Sequence, residues 1–303
     1  MFRKWAVATF VLTLLVIIAG GVVRTTQSGM GCPDWPKCFG SWIPPTDASQ
    51  LPPDFEKYLS KQDIDHSFNA LHTWIEYINR LSGVLLGVFA IIQMLLAFGI
   101  RKTDRRSFNL AAAFLFVVIL TGLFGAIVVR LNLAHLSITV HLLFALVLTV
   151  IQAALLTECY NQWGKIRVSP SIKKLLYAFL LLMLIHSSLG TMVRMHIDDV
   201  SKALDYTGRA TWLSDQPLVF LIHRSFSWLL LIGAGWIWWN LRKLEGLKMP
   251  SAYLLTLVIM SMVTGIVLSY FDFPAWAQPT HLLLASLGIT QICYLIFKSR
   301  VHA

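Results

Sequence analysis

Glu76 and Arg80 stand four residues apart in Trp74-Ile75-Glu76-Tyr77-Ile78-Asn79-Arg80, at the head of a run otherwise built of Leu, Val, Ile, Phe and Gly. At that spacing a carboxylate and a guanidinium share one helix face. Ionisable groups at membrane depth are costly and mark functional positions. Two chemistries are open to the pair: Glu76 accepts a proton or orients a water, or it forms an i,i+4 ion pair with Arg80.

A second set of residues repeats along the chain. Ile222-His223-Arg224 opens a later apolar run as Ile78-Asn79-Arg80 opens this one, with His in one copy and Asn in the other. His141 and His281 sit in similar surroundings, Thr139-Val140-His141-Leu142-Leu143 and Thr280-His281-Leu282-Leu283. A lone histidine at a helix end is usually a satisfied interfacial group; three at matched depth suggest axial imidazoles for haem held between facing helices. Arg24, Arg80, Arg130, Arg194 and Arg224 fall at the same level. They suit haem propionates through charge-assisted hydrogen bonds, or they snorkel to the interface. His186 reads as a satisfied bundle histidine, and His66, His135, His196 and His302 as loop or tail residues. Trp228, Trp236, Trp238 and Trp239 read as packing and interfacial anchors, Trp228 also as a ring to stack on a haem edge.

The elements that position these groups follow from composition. The chain has 303 residues, 56% hydrophobic and 13% charged, whereas a soluble domain carries about a quarter charged residues. Eight apolar runs are long enough to cross a bilayer; they are expected near 5–23, 78–99, 108–129, 137–157, 174–193, 218–241, 251–271 and 279–297. The first is too long and ends too polar for a cleaved signal peptide. Of the 25 basic residues, 15 fall on one side of this count, with only Asp104, Glu158 and Glu245 among the acids there. The positive-inside rule places both termini in the cytoplasm and the histidines near the outer face. The net charge of +10 is thus a topology signal, and nucleic-acid binding is not expected.

Cys32 and Cys38 lie in the first outer loop, on the oxidising side, where a disulfide, structural or redox-active, is the expected state. A metal pair would lack a second pair of ligands at suitable spacing. Cys159 and Cys293 read as free thiols acting as small apolar residues. From Lys173 the plan restarts: Gly190-Thr191-Met192-Val193-Arg194 matches Gly20-Gly21-Val22-Val23-Arg24, and Thr264-Gly265 matches Thr121-Gly122. The expected fold is an all-α integral membrane protein with eight transmembrane helices arranged as two tandem-repeat four-helix bundles, residues 1–165 and 166–303.

The residues now on the page resemble the heme A synthase family. The resemblance covers all eight spans. It rests on Gly20-Gly21-Val22-Val23-Arg24 running into Ser28-Gly29-Met30-Gly31-Cys32-Pro33-Asp34-Trp35-Pro36, on Glu76-x-x-Asn79-Arg80, and on His141, His223-Arg224 and His281. It implies oxidation of the C8 methyl of heme O to a formyl group by successive hydroxylation. It further implies a resident heme b on His223 and His281, a substrate haem on His141, and Glu76 as the catalytic carboxylate. Heme O synthase is the implied supplier, beside an electron acceptor the sequence does not identify. The implied location is the bacterial cytoplasmic membrane, and self-association is allowed. Asn79 departs from the family, which has an axial histidine there; a neutral amide oxygen is a poor iron ligand beside imidazole. Three consequences are open: His141 holds the substrate haem alone, His72 substitutes from about 10 Å further out, or the first half has lost the chemistry. A di-haem b-type electron carrier and a haem-handling chaperone are the rival functions.

Overall fold

The computed structural model describes residues 1–59, 67–160 and 164–301. His66 and His302, read from sequence as loop and tail residues, lie outside the described residues.

Among the described residues eight helices are long and apolar enough to cross a membrane, as the hydrophobic runs predict. They are α1 (Phe2–Thr25), α3 (Ala70–Gly99), α4 (Arg105–Arg130), α5 (His135–Cys159), α6 (Pro170–Ala203), α7 (Leu218–Leu241), α8 (Lys248–Tyr270) and α9 (Ala277–Lys298). A single turn, α2 (Glu56–Leu59), lies in the first long loop. The protein is an all-α multi-pass membrane protein.

Two helices exceed their expected spans, and local chemistry explains both. α3 starts at Ala70 rather than near 78 because the Asn69 side chain accepts the His72 N–H at 3.2 Å, an N-cap that needs no apolar residue. α6 starts at Ser169-Pro170, with Ser169 as cap and proline in the first turn. It runs on through the polar stretch 194–203, where Arg194 and Asp198 pair at 3.3 Å across one turn. His196, expected in a loop, therefore lies on this helix, with Nε2 3.2 Å from Asp215.

The ends of α4, α6 and α8 share one stereochemical signature. Two residues past each helix comes a consecutive left-handed pair: Asn132-Leu133, Asp205-Tyr206 and Asp272-Phe273. Such conformations are uncommon for residues other than glycine, and Gln27 takes one at the corresponding place after α1.

The chain divides into two compact units, Met1–Leu148 and Thr149–Ala303, with the boundary inside α5. In the first, α1 packs on α3 and α3 on α4. Trp5 fixes one of these seams by stacking on Phe89 at 4.8 Å and donating its indole N–H to the Phe89 carbonyl. Phe124 of α4 meets Phe144 of α5 with ring centroids 5.6 Å apart. In the second unit α6, α7, α8 and α9 close a ring, each packing on the next and α9 on α6. Helices α7 and α9 therefore occupy diagonal corners. Ile166–Val168 (β1) pairs in parallel with Ser299–Val301 (β2), and the Lys173 ammonium donates to the Ile296 and Ser299 carbonyls. Both contacts tie the end of α9 to the start of α6.

Candidate functional site

In the first unit the disulfide loop is built against one face of α3. Cys32 and Cys38 are joined and buried, which excludes the metal-pair alternative. Asp34 organises the loop from within: its carboxylate accepts the Phe39 and Gly40 N–H groups at 2.7 and 2.9 Å. Cys38 and Ser41 exchange a pair of backbone hydrogen bonds. Phe39, the two half-cystines and the flanking Leu51, Tyr58, Phe68 and Tyr77 form a small apolar core.

The helix supplies the complementary surface at i, i+3 and i+4 positions. Thr73 donates its hydroxyl to Gly31 O at 2.9 Å, Trp74 its indole N–H to Pro45 O and Tyr77 its hydroxyl to Trp42 O. A Cβ at Gly31 would lie 2.4 Å from the His72 carbonyl oxygen, so only glycine allows this approach.

Glu76 and Arg80 are the centre of the junction. Glu76 Oε2 accepts the Cys32 N–H at 2.7 Å, and Oε1 accepts Arg80 Nε–H and Nη2–H at 3.1 and 2.5 Å. Arg80 also donates Nη1–H groups to Asp34 O and Lys37 O, and Nη2–H to Cys32 O. A guanidinium has five N–H donors, and all five are used on Glu76 and the loop. The pair is nearly buried, with side-chain exposures of 14% and 6%. The i,i+4 ion pair expected from the spacing is formed, and Oε2, which accepts the Cys32 N–H, has a second lone pair.

The histidines share a different local motif, each lodged against a glycine of the helix packed beside it. A Cβ at Gly125 would lie 3.5 Å from His141 Cε1, one at Gly265 3.4 Å from His281 Cε1, and one at Gly190 3.1 Å from His223 Cε1. The glycines give each imidazole room close to its neighbour's backbone. Asn79 stands one residue before Arg80 on α3, and its carbonyl accepts the Ser82 hydroxyl.

His281 is the histidine whose protonation can be deduced. Its Nδ1 lies 3.0 Å from the Ser261 carbonyl oxygen and 3.0 Å from Thr264 Oγ1, whose own proton goes to Ser261 O. A carbonyl only accepts, so Nδ1 carries the proton and Nε2 keeps its lone pair. Metal-ligating histidines are commonly held this way. His141 has no hydrogen-bond partner at Nδ1. In the first unit Thr121, the counterpart of Thr264, turns its hydroxyl to Val117 O on its own helix.

His186 does not behave as the satisfied bundle histidine expected from sequence. Its ring lies flat on His223, centroids 4.0 Å apart and planes within 7°, and its Nδ1 has no partner. The missed signal was its place one turn before Gly190, on the helix face that seats His223. Among the described residues no three His, Cys, Asp or Glu side chains converge on a common metal-ion position, so the histidines do not form a zinc-type site.

The remaining arginines differ in setting. Arg194 faces Asp198. Arg224 lies over the Phe220 ring, with Nη1 3.5 Å from the Tyr270 hydroxyl. Arg24 closes the last turn of α1 and Arg130 that of α4, where cations complement the helix dipole. Trp228 is exposed, as are Trp236 and Trp239. Cys159 and Cys293 are buried free thiols.

Residues 3–292 match the family model described as COX15-CtaA, cytochrome oxidase assembly protein. The chain is 24% identical to "Heme A synthase" of Orientia tsutsugamushi (strain Boryong), over 96% of this chain and 94% of that protein. It is 26% identical to "Heme A synthase" of Shouchella clausii (strain KSM-K16), over 99% and 97%. A 94-residue stretch, 28% of this chain and 24% of the relative, is 36% identical to "Heme A synthase" of Paracoccus denitrificans (strain Pd 1222). With a match along almost its whole length, this chain belongs to the COX15-CtaA family of cytochrome oxidase assembly proteins.

Proposed function

We propose that this protein is a heme A synthase, an oxidoreductase converting the C8 methyl of heme O to a formyl group in two hydroxylation stages. The observation that carries the reading is the near full-length match to proteins of that name, in a chain that carries His141, His223, His281, Glu76 and the Cys32–Cys38 disulfide.

The second unit fits a resident heme b. His223 and His281 are on diagonal helices, both seated on glycines, and His281 presents a fixed Nε2 lone pair. Bound there, the group would supply one-electron redox chemistry. The residues hold and orient it: Ser261 and Thr264 lock the His281 ring, and Arg194 and Arg224 stand near the propionate level.

The first unit fits an exchangeable guest. His141 has no hydrogen-bond partner at Nδ1 to lock its ring, unlike His281. We assign His141 as the single protein ligand of the heme O substrate, with Asn79 leaving the opposite face open. Glu76 accepts a proton at the free position of Oε2, while Arg80 and the Cys32 amide fix the carboxylate in place. Arg80, its donors all engaged, serves this junction rather than a propionate. The halves 1–165 and 166–303 represent a parallel duplication, a reading supported by the matched left-handed helix ends. Both termini face the cytoplasm of a bacterial inner membrane, heme O synthase delivers the substrate, and an acceptor of unassigned identity receives the electrons.

Membranes co-expressing this chain with a heme O supply should yield hydroxylated and formyl haem on extraction. Heme B alone, with heme O unconverted, would overturn the assignment.

A further inference from the structure

The His186–His223 stack is not explained by the ligand set above. The ring of His186 comes from α6 and lies between one turn of α7, parallel to His223 at 4.0 Å and within 13° of the Phe226 plane at 5.9 Å. Its orientation is therefore set by two aromatic neighbours. A purely apolar spacer would do this packing with no unpaired nitrogen. The first half has such a spacer: aligning Gly190 through Arg194 with Gly20 through Arg24 puts Val16 opposite His186. The second half instead holds two imidazoles face to face, with the Nδ1 of His186 unpartnered.

We propose that His186 is a second imidazole on the His223 side of the haem site, held stacked on His223 as its reserve axial ligand. The proposal rests on the reading of the second unit as a heme b site. Loss of His223 leaves a void of one ring beside His186, and a displacement of about one ring spacing brings His186 into it. His186 on α6 would then hold the haem in place of His223 on α7, together with His281, whose ring Ser261 and Thr264 lock. The ligand type would be unchanged, since both are imidazoles.

The test compares haem per chain and low-temperature electron paramagnetic resonance of wild type, His223→Ala, His186→Phe and the His223→Ala/His186→Phe double variant, each taken from the monodisperse fraction. The wild type should show low-spin haem. His223→Ala should retain at least about half of it with shifted g values, and the double variant should fall about tenfold below that. Phenylalanine at 186 keeps an aromatic ring on the stack, and added imidazole restoring the low-spin signal shows that the double variant is folded. Equal low-spin content in His223→Ala and the double variant, whether both low or both high, overturns the reserve-ligand role. A wild type without low-spin haem overturns instead the assignment of the haem site itself.

Discussion

The backbone amide of Cys32 donates to Glu76 Oε2 at 2.7 Å, so one carboxylate anchors the disulfide loop and stands as the candidate proton acceptor. The two roles separate by substitution. Glu76→Gln keeps an acceptor for the amide and should fold, with conversion of heme O reduced by about two orders of magnitude, the usual scale of acid–base catalysis. Glu76→Ala leaves the Arg80 guanidinium nearly buried without its counter-ion, a loss of about 3–5 kcal/mol, visible as a lower melting temperature in detergent. Full conversion by the glutamine variant would remove Glu76 from the chemistry.

Removing the cystine tests the loop. Cys32→Ser/Cys38→Ser should cost about 2 kcal/mol through the freed chain entropy of a short loop. Trypsin should then cleave after the exposed Lys37 faster than in the oxidised protein. Conversion should drop several-fold because the Cys32 amide no longer orders Glu76. Identical proteolysis of the two forms would show that the α3 contacts alone hold the loop.

Thr264→Val should loosen the His281 ring and weaken haem retention by about 10- to 100-fold, the usual effect of losing an outer-shell partner. Thr121→Val, whose hydroxyl bonds only its own helix, should not. Haem per chain after size exclusion separates the two.

The glycine seats predict graded tolerance. Gly125→Ala places its methyl 3.5 Å from His141 in ordinary contact, whereas Gly190→Ala meets His223 at 3.1 Å and forces the ring aside. The second variant should shift the Soret band of the resident haem and the first should leave it in place.

Asn79→His should supply the imidazole the first half lacks. Reconstituted with heme O, wild type should show a high-spin component that the variant converts to low spin. A wild-type first-half haem already low-spin would instead indicate a second protein ligand.

Much of this was legible in the sequence because the information was local. Apolar runs located eight helices, and Glu76 and Arg80 were placed on one face by spacing alone. The partners of Arg80 were not legible: three are backbone carbonyls of Cys32, Asp34 and Lys37, and a carbonyl has no residue-type signature. The polar end of α6 was lost to a hydrophobicity criterion, since its i,i+4 ion pair stabilises helix without adding apolar character. His186 was misread because a single histidine in a run of Leu and Met carries no indication of which ring it will lie against. Its meaning depended on α7 being the neighbour.

Arg80 has a consequence for exchangeability. Its value here lies less in the sign of its charge than in five directions fixed in one plane, two of them on Glu76 Oε1 and three on separate carbonyls of the loop. Lysine would conserve the electrostatics yet offer three donors from a single atom, too few and too close together to span Cys32, Asp34 and Lys37. At this position charge is the replaceable property and planarity is not.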